Sequence, residues 1–343
     1  MRYTLLSRFQ GSFLGAALGE VFAADRDASD LQSSARPSWG KVAIAQMDAL
    51  TNGHASPSPE LTQQLPQPIS AAGVAIALLP LALFYHEDAE QFSQQAQQRL
   101  VQWQLPIETG MGGLVLGQSI GVILREQCQP LELIPRLLAS LDQHPQPSVL
   151  ARQLTQVQEW LTEDAIASRF SVHKLFADAI ANPRELALME TAPIALALYA
   201  FLSTPEAFSL SLLRVAQLFH GFDTHGLNSH HLGIWPLAAC LTGALSGAYN
   251  GRAGLPQDWR NRLRSEPEPP DSKNPASEHL VLENRSYLTL LWEVESETEL
   301  LEYVHRFIAA WSGMHNPIQH SLPPKTLVTL AAPQIIRPGS RLG

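Results

Sequence analysis

Cysteine is nearly absent from this chain of 343 residues: Cys128 and Cys240 are the only two, and no CxxC spacing is present. A disulfide framework is excluded, and each cysteine is expected to be a small buried apolar side chain in a reducing compartment. Basic charge is also short. Lys and Arg number 23 against 32 Asp and Glu, for a net charge of -9, which offers no general attraction to nucleic acid or to anionic membrane. No stretch reaches about 18 uninterrupted apolar residues, so no membrane span is expected. The opening MRYTLLSRFQGSFLGAALGEVFAAD places basic residues before an apolar run, as a signal peptide does. Gln10 and Ser12 interrupt that run, and its regularly spaced glycines fit a packed helix better, so a cytoplasmic location is expected. A Ser-His-Asp spacing and a GxGxxG after a strand are missing too, which removes the triad-hydrolase and dinucleotide readings that rest on them.

What the chain has in abundance is apolar helix. Hydrophobic residues make up 45% of it, ample for a sizeable core. Residues 4–24 read as a helix with Gly11, Gly15 and Gly19 on one stripe. Each helical glycine costs about 1 kcal/mol relative to alanine, so the stripe implies the close approach of a ligand or another backbone, with helix packing the simpler account. Residues 28–68 are polar and proline-rich, with Lys41–Leu50 as their plausible helix. The run Ile69–Tyr85 is apolar on every face, a central buried helix that Pro80 must kink or break.

Further helices are expected over residues 88–103, 109–127, 131–141, 149–161, 167–183 and 295–311. Gly110, Gly112 and Gly113 lack the Lys-Ser/Thr of a phosphate loop and read as a close-packed helix start. Leu280–Trp292 is the one convincing place for β structure, although it reads equally as a helix. The favoured architecture is a single all-α domain over residues 1–316, followed by an extended tail over 317–343.

Chemistry concentrates between Glu190 and Trp259, where two apolar helical runs and a glycine-spaced helix flank a polar loop, Phe219–Gly233. That loop holds His220, His225, His230 and His231, without HExxH or cysteines to complete a zinc site. Asp223 and Thr224 offer hard oxygen ligands of the kind magnesium or calcium accepts, and serve equally as a turn or helix cap.

Two separated stretches resemble the ADP-ribosylglycohydrolase family of all-helical enzymes. Ser7–Asp25, SRFQGSFLGAALGEVFAAD, is similar to the family's opening RFRGALLGLAVGDALGAP, and LTGALSGAYNGRAGLPQDW is similar to its late GALAGAYYGxxxIPxxW. The likeness covers residues 5–265. It implies an orthogonal helical bundle and cleavage of N- or O-glycosidic ADP-ribose bonds by two magnesium ions. Their ligands come from an early T-D-D-T motif that opens a helix and a late G-G-D-T-D-T motif.

The sequence departs from the family at both motifs. Ser70-Ala71-Ala72-Gly73 stands where the early motif belongs, so its aspartates are absent. An ungapped late alignment puts Ile234 and Pro236 in the aspartate positions. A gapped one retains Asp223 and Thr224, with His225 replacing the second aspartate. Glu20 takes the place of an N-terminal aspartate, and Asp27, or less well Asp25, that of a further acidic ligand. Losing about half of the anionic ligands should abolish the magnesium pair. The resulting expectation is a pseudoenzyme without cofactor, acting as a binding, regulatory or assembly factor for a protein partner, its cleft open to ADP-ribose or a nucleotide-like ligand. Glu20, Asp27, Asp223, Thr224, His225, His230 and His231 are its candidate lining residues. The alternative is an active hydrolase with a remodelled site, in which Glu20, Asp27, Asp223 and His225 are catalytic and any metal rests on Asp223, Thr224 and His225.

Overall fold

A computed structural model describes residues 3–26, 39–53, 65–142, 148–162, 186–219, 234–264 and 287–314. Among these residues all regular structure is helical, as the apolar periodicities predict. The helices are α1 (Leu5–Arg26), α2 (Trp39–Thr51), α3 (Ala71–Ala77), α4 (Leu79–Phe84), α5 (Ala89–Gln102), α6 (Ile107–Leu124) and α7 (Pro130–Leu141). They continue with α8 (Val149–Thr162), α9 (Leu186–Ser203), α10 (Phe208–Phe219), α11 (Ile234–Asn250), α12 (Gln257–Arg264), α13 (Tyr287–Trp292) and α14 (Glu297–Trp311). Leu280–Trp292 is therefore not a strand over its last six residues, which form α13. Residues 167–183 and the tail 317–343 lie outside the described residues.

The glycine stripe of α1 meets a second backbone. A Cβ added at Gly11, Gly15 or Gly19 would lie 2.2, 2.1 and 2.1 Å from the carbonyl oxygens of Gly247, Gly243 and Ala239 on α11. The reciprocal additions at Gly243 and Gly247 would lie 1.9 Å from the oxygens of Gly15 and Gly11. Small residues on both helices thus let α1 and α11 run in backbone contact, and packing accounts for the stripe without a ligand. The Ser12 hydroxyl donates to the Ala244 carbonyl at 3.1 Å and fixes the register between them.

Pro80 has the predicted effect. The helix breaks at Leu78, and Pro80 falls in the first turn of α4, where its missing N–H costs nothing. Both segments are buried throughout. Gly110, Gly112 and Gly113 open α6 and face Leu100, Ile194 and Leu78, a packed helix start. Helix α6 is long and apolar enough to cross a membrane by length and composition, yet 78% of it is buried inside the fold. Helix α12 is held by buried Glu297 of α14, whose carboxylate takes the guanidinium of Arg260 and also meets that of Arg252, just before α12.

Candidate functional site

The two places where the family resemblance puts early metal ligands are the C-terminal part of α1 and the first turn of α3. Glu20 occupies the first of these and is buried, 6% exposed. Its position follows from the α1–α11 contact: Gly19 lies against the backbone of Ala239 and Cys240, which seats the next residue inside the core. One carboxylate oxygen accepts the indole N–H of Trp292 at 2.9 Å. Burial pushes the Cys240 thiol well above its ordinary pKa, and the Glu20 charge adds to the shift, so this cysteine is an unreactive core side chain. Cys128 is only half-buried, with its thiol pushed up to about 11, mainly by burial.

At the second place the chain caps a helix. The Ser70 hydroxyl accepts the Gly73 N–H at 3.1 Å, an N-cap for α3, and Ala71, Ala72 and Gly73 are buried behind it. Gly73 lies directly under the ring of Trp39: an added Cβ would fall 2.1 Å from Trp39 Cε2. The next residue, Gly40, lies under the other indole, where an added Cβ would fall 2.6 Å from Trp292 Cδ2. Both tryptophans are almost fully buried. The end of α1 and the start of α3 are therefore bridged by a run of contacts from Glu20 through Trp292, Gly40 and Trp39 to Gly73.

Aromatic packing also surrounds the next turn of α1. Phe22 stacks on Trp259 with ring centroids 4.8 Å apart and meets Trp235 edge-on at 6.0 Å. Trp235 is thus a buried core side chain beside the end of α1. Trp39 and Trp292 are the residues that sequence reasoning missed. No local period marks a contact between helices so far apart in the chain; the only signal was that Trp39 is followed by a glycine.

Magnesium binding asks for hard oxygen ligands in near-octahedral array. Among the described residues no three or more His, Cys, Asp and Glu are grouped to share an ion. The first turn of α3 supplies one side-chain oxygen, that of Ser70, and it is committed to the cap. Glu20 supplies a carboxylate that an indole already holds. This part of the donor set does not fit a pair of magnesium ions. Asp27, Asp223, Thr224, His225, His230 and His231 lie outside the described residues, as do Asp223's neighbours throughout the loop 220–233.

Comparison with known proteins matches residues 26–281 to the sequence model of a family described as ADP-ribosylglycohydrolase. The matched region begins at the last residue of α1, so the likeness read in Ser7–Asp25 falls outside it, while the late glycine-rich helix falls inside. No curated protein matches the chain.

Proposed function

Since the chain belongs to the ADP-ribosylglycohydrolase family, we propose that it keeps the family's helical frame without its dinuclear magnesium site and acts as a binding, regulatory or assembly factor. The observation that carries this reading is the bridge of indoles between α1 and α3. Two positions that would each contribute acidic ligands in the family are joined here by Trp292 and Trp39, with Ser70 serving as a helix cap. A magnesium pair needs several anionic oxygens converging from different helices. With alanines and a glycine in the first turn of α3, that convergence has lost one of its sides.

The test is hydrolysis of ADP-ribosyl-arginine and ADP-ribosyl-serine peptides by the full chain in millimolar magnesium. The reading expects no turnover above the uncatalysed rate. Magnesium-dependent turnover that Asp223→Ala abolishes would overturn it in favour of a remodelled but active hydrolase.

A second reading, in which the family cleft is filled and takes no ADP-ribose, is favoured by the same two tryptophans. Trp39 is 1% exposed and Trp292 fully buried, so both rings are core side chains rather than walls open to solvent, which supports this reading. It expects no rise in Tm with millimolar ADP-ribose. A concentration-dependent rise would favour a ligand-binding pseudoenzyme instead.

A further inference from the structure

A cavity lies away from the α1–α3 bridge, between α5, α6 and α7, with a volume of about 210 Å³. His86 borders it and packs on Phe9 with ring centroids 5.6 Å apart. Phe9 precedes Glu20 by eleven residues on α1, about 16 Å along the helix axis at ~1.5 Å per residue. The cavity is thus separate from the place where the family resemblance puts its chemistry.

Its apolar wall is built by Phe92, Val122, Leu133 and Leu137. Gly117 lets the Phe92 ring lie against α6, since an added Cβ would fall 2.1 Å from that ring. Gln118 donates to the Ser140 hydroxyl oxygen, tying α6 to α7 and leaving the Ser140 O–H as a donor. Two guanidiniums border the same space, Arg125 and Arg136. Arg136 is paired with Glu132 at 2.9 Å, both about half exposed. Arg125 donates its Nε to the Gly121 carbonyl at 3.1 Å. Its terminal nitrogens make no hydrogen bond or ion pair among the described residues. Buried Arg8 adds positive charge behind the wall, where it donates to the Leu124 carbonyl at 3.0 Å and lies 3.7 Å from Glu126.

The titratable groups lining the cavity are therefore one guanidinium with no ion pair among the described residues, one guanidinium paired with Glu132, and an imidazole whose Nδ1 is committed to the Leu83 carbonyl at 2.8 Å. An apolar wall with a few convergent polar donors is the usual make-up of a small-molecule site. A cavity of about 150 Å³ admits benzene, so this volume takes a ring with one small substituent. We propose that the cavity binds a compact aromatic carboxylate, with its ring against Phe92, Val122 and Leu137 and its carboxylate on Arg125 and Ser140. The guanidinium fork supplies the charge-assisted pair and the hydroxyl supplies a further donor.

Isothermal titration of the full chain with benzoate, and with its neutral isostere benzamide, tests the site. Arg125 is exposed, so Arg125→Met should leave the fold intact, with an unchanged Tm as the check. Arg152→Met, an exposed change on α8, is the charge control. Benzoate should bind with a Kd at or below about 1 mM. Benzamide and Arg125→Met should each weaken binding at least ~10-fold, and Arg152→Met should not. Absence of saturable benzoate binding, equal affinity for benzamide, or full affinity in a folded Arg125→Met protein would overturn the proposal. Because the site shares no residue with the α1–α3 bridge, these outcomes are independent of the magnesium and hydrolysis tests.

Discussion

Trp292 donates its indole N–H to Glu20 at 2.9 Å across 272 positions of sequence, inside a core where both residues are buried. This bond ties α13 to α1 and commits the Glu20 carboxylate, which α1 brings to the family's ligand region. Replacing Trp292 with Phe keeps an aromatic ring but leaves the Glu20 oxygen short of a donor. A buried acceptor deprived of its partner costs about 1–3 kcal/mol, and the smaller ring adds a packing loss over Gly40. Chemical denaturation of Trp292→Phe should show a stability loss of at least ~1 kcal/mol; an unchanged midpoint would mean the bond is not made in solution.

The contact of α1 with α11 makes its own demand. At an exposed helical position Gly→Ala gains about 1 kcal/mol. At Gly15 the new methyl would meet the Gly243 carbonyl at 2.1 Å, and backbone cannot rotate away as a side chain can. Gly15→Ala should therefore destabilise by about 1–3 kcal/mol, the cost of overpacking. Equilibrium urea unfolding gives the sign directly, and a gain in stability would contradict the backbone contact.

How much of this was legible in the sequence depends on the reach of the interaction. The break at Pro80 and the helical periods of α5, α7, α8 and α14 are local, set by backbone chemistry and by which residues recur on one face, and they were readable. The stripe Gly11-Gly15-Gly19 announced a close approach, and packing against another helix was the simpler of its two readings, though α11 as the partner was not identified. The ambiguity at Leu280–Trp292 arose because a short apolar run satisfies both periods; residues 287–292 are helical. At the candidate site the loss of the T-D-D-T aspartates could be read from Ser70-Ala71-Ala72-Gly73. The Trp39–Trp292 bridge could not, because it joins four helices through contacts that no spacing encodes.

A buried charge supports the C-terminal helices. Glu297 is 1% exposed and receives Arg260 at 2.8 Å through Nε, with Arg252 at 3.5 Å. Removing one partner of a buried pair costs about 3–5 kcal/mol. Arg260 and Arg252 retain some solvent, 12% and 36% of their side chains, so Glu297→Ala should fall at or below the lower end of that range. Thermal unfolding with both arginines intact measures it, and a loss under ~0.5 kcal/mol would place the triad with ordinary surface pairs.

Acid sensitivity should carry a signature of His86. Burial pulls its pKa from 6.5 down to about 4, the hydrogen bond to the Leu83 carbonyl opposes the shift, and Arg125 and Arg8 add to it. The unfolded chain accepts a proton near pH 6.5 that the folded protein refuses until about pH 4. Its stabilising contribution is thus complete above pH 6.5 and is lost as pH falls from there toward 4, on the order of 3 kcal/mol in all. His86→Phe should show a shallower fall in stability over this window than the parent protein. Parallel curves would mean that His86 is protonated in the folded state.

Isothermal titration of the full chain with magnesium chloride at neutral pH decides whether this family member binds a magnesium pair. No saturable heat is expected up to ~1 mM magnesium, because the first turn of α3 offers only a capping serine and Glu20 is held by Trp292. Saturable binding of two ions per chain in the micromolar range would contradict it.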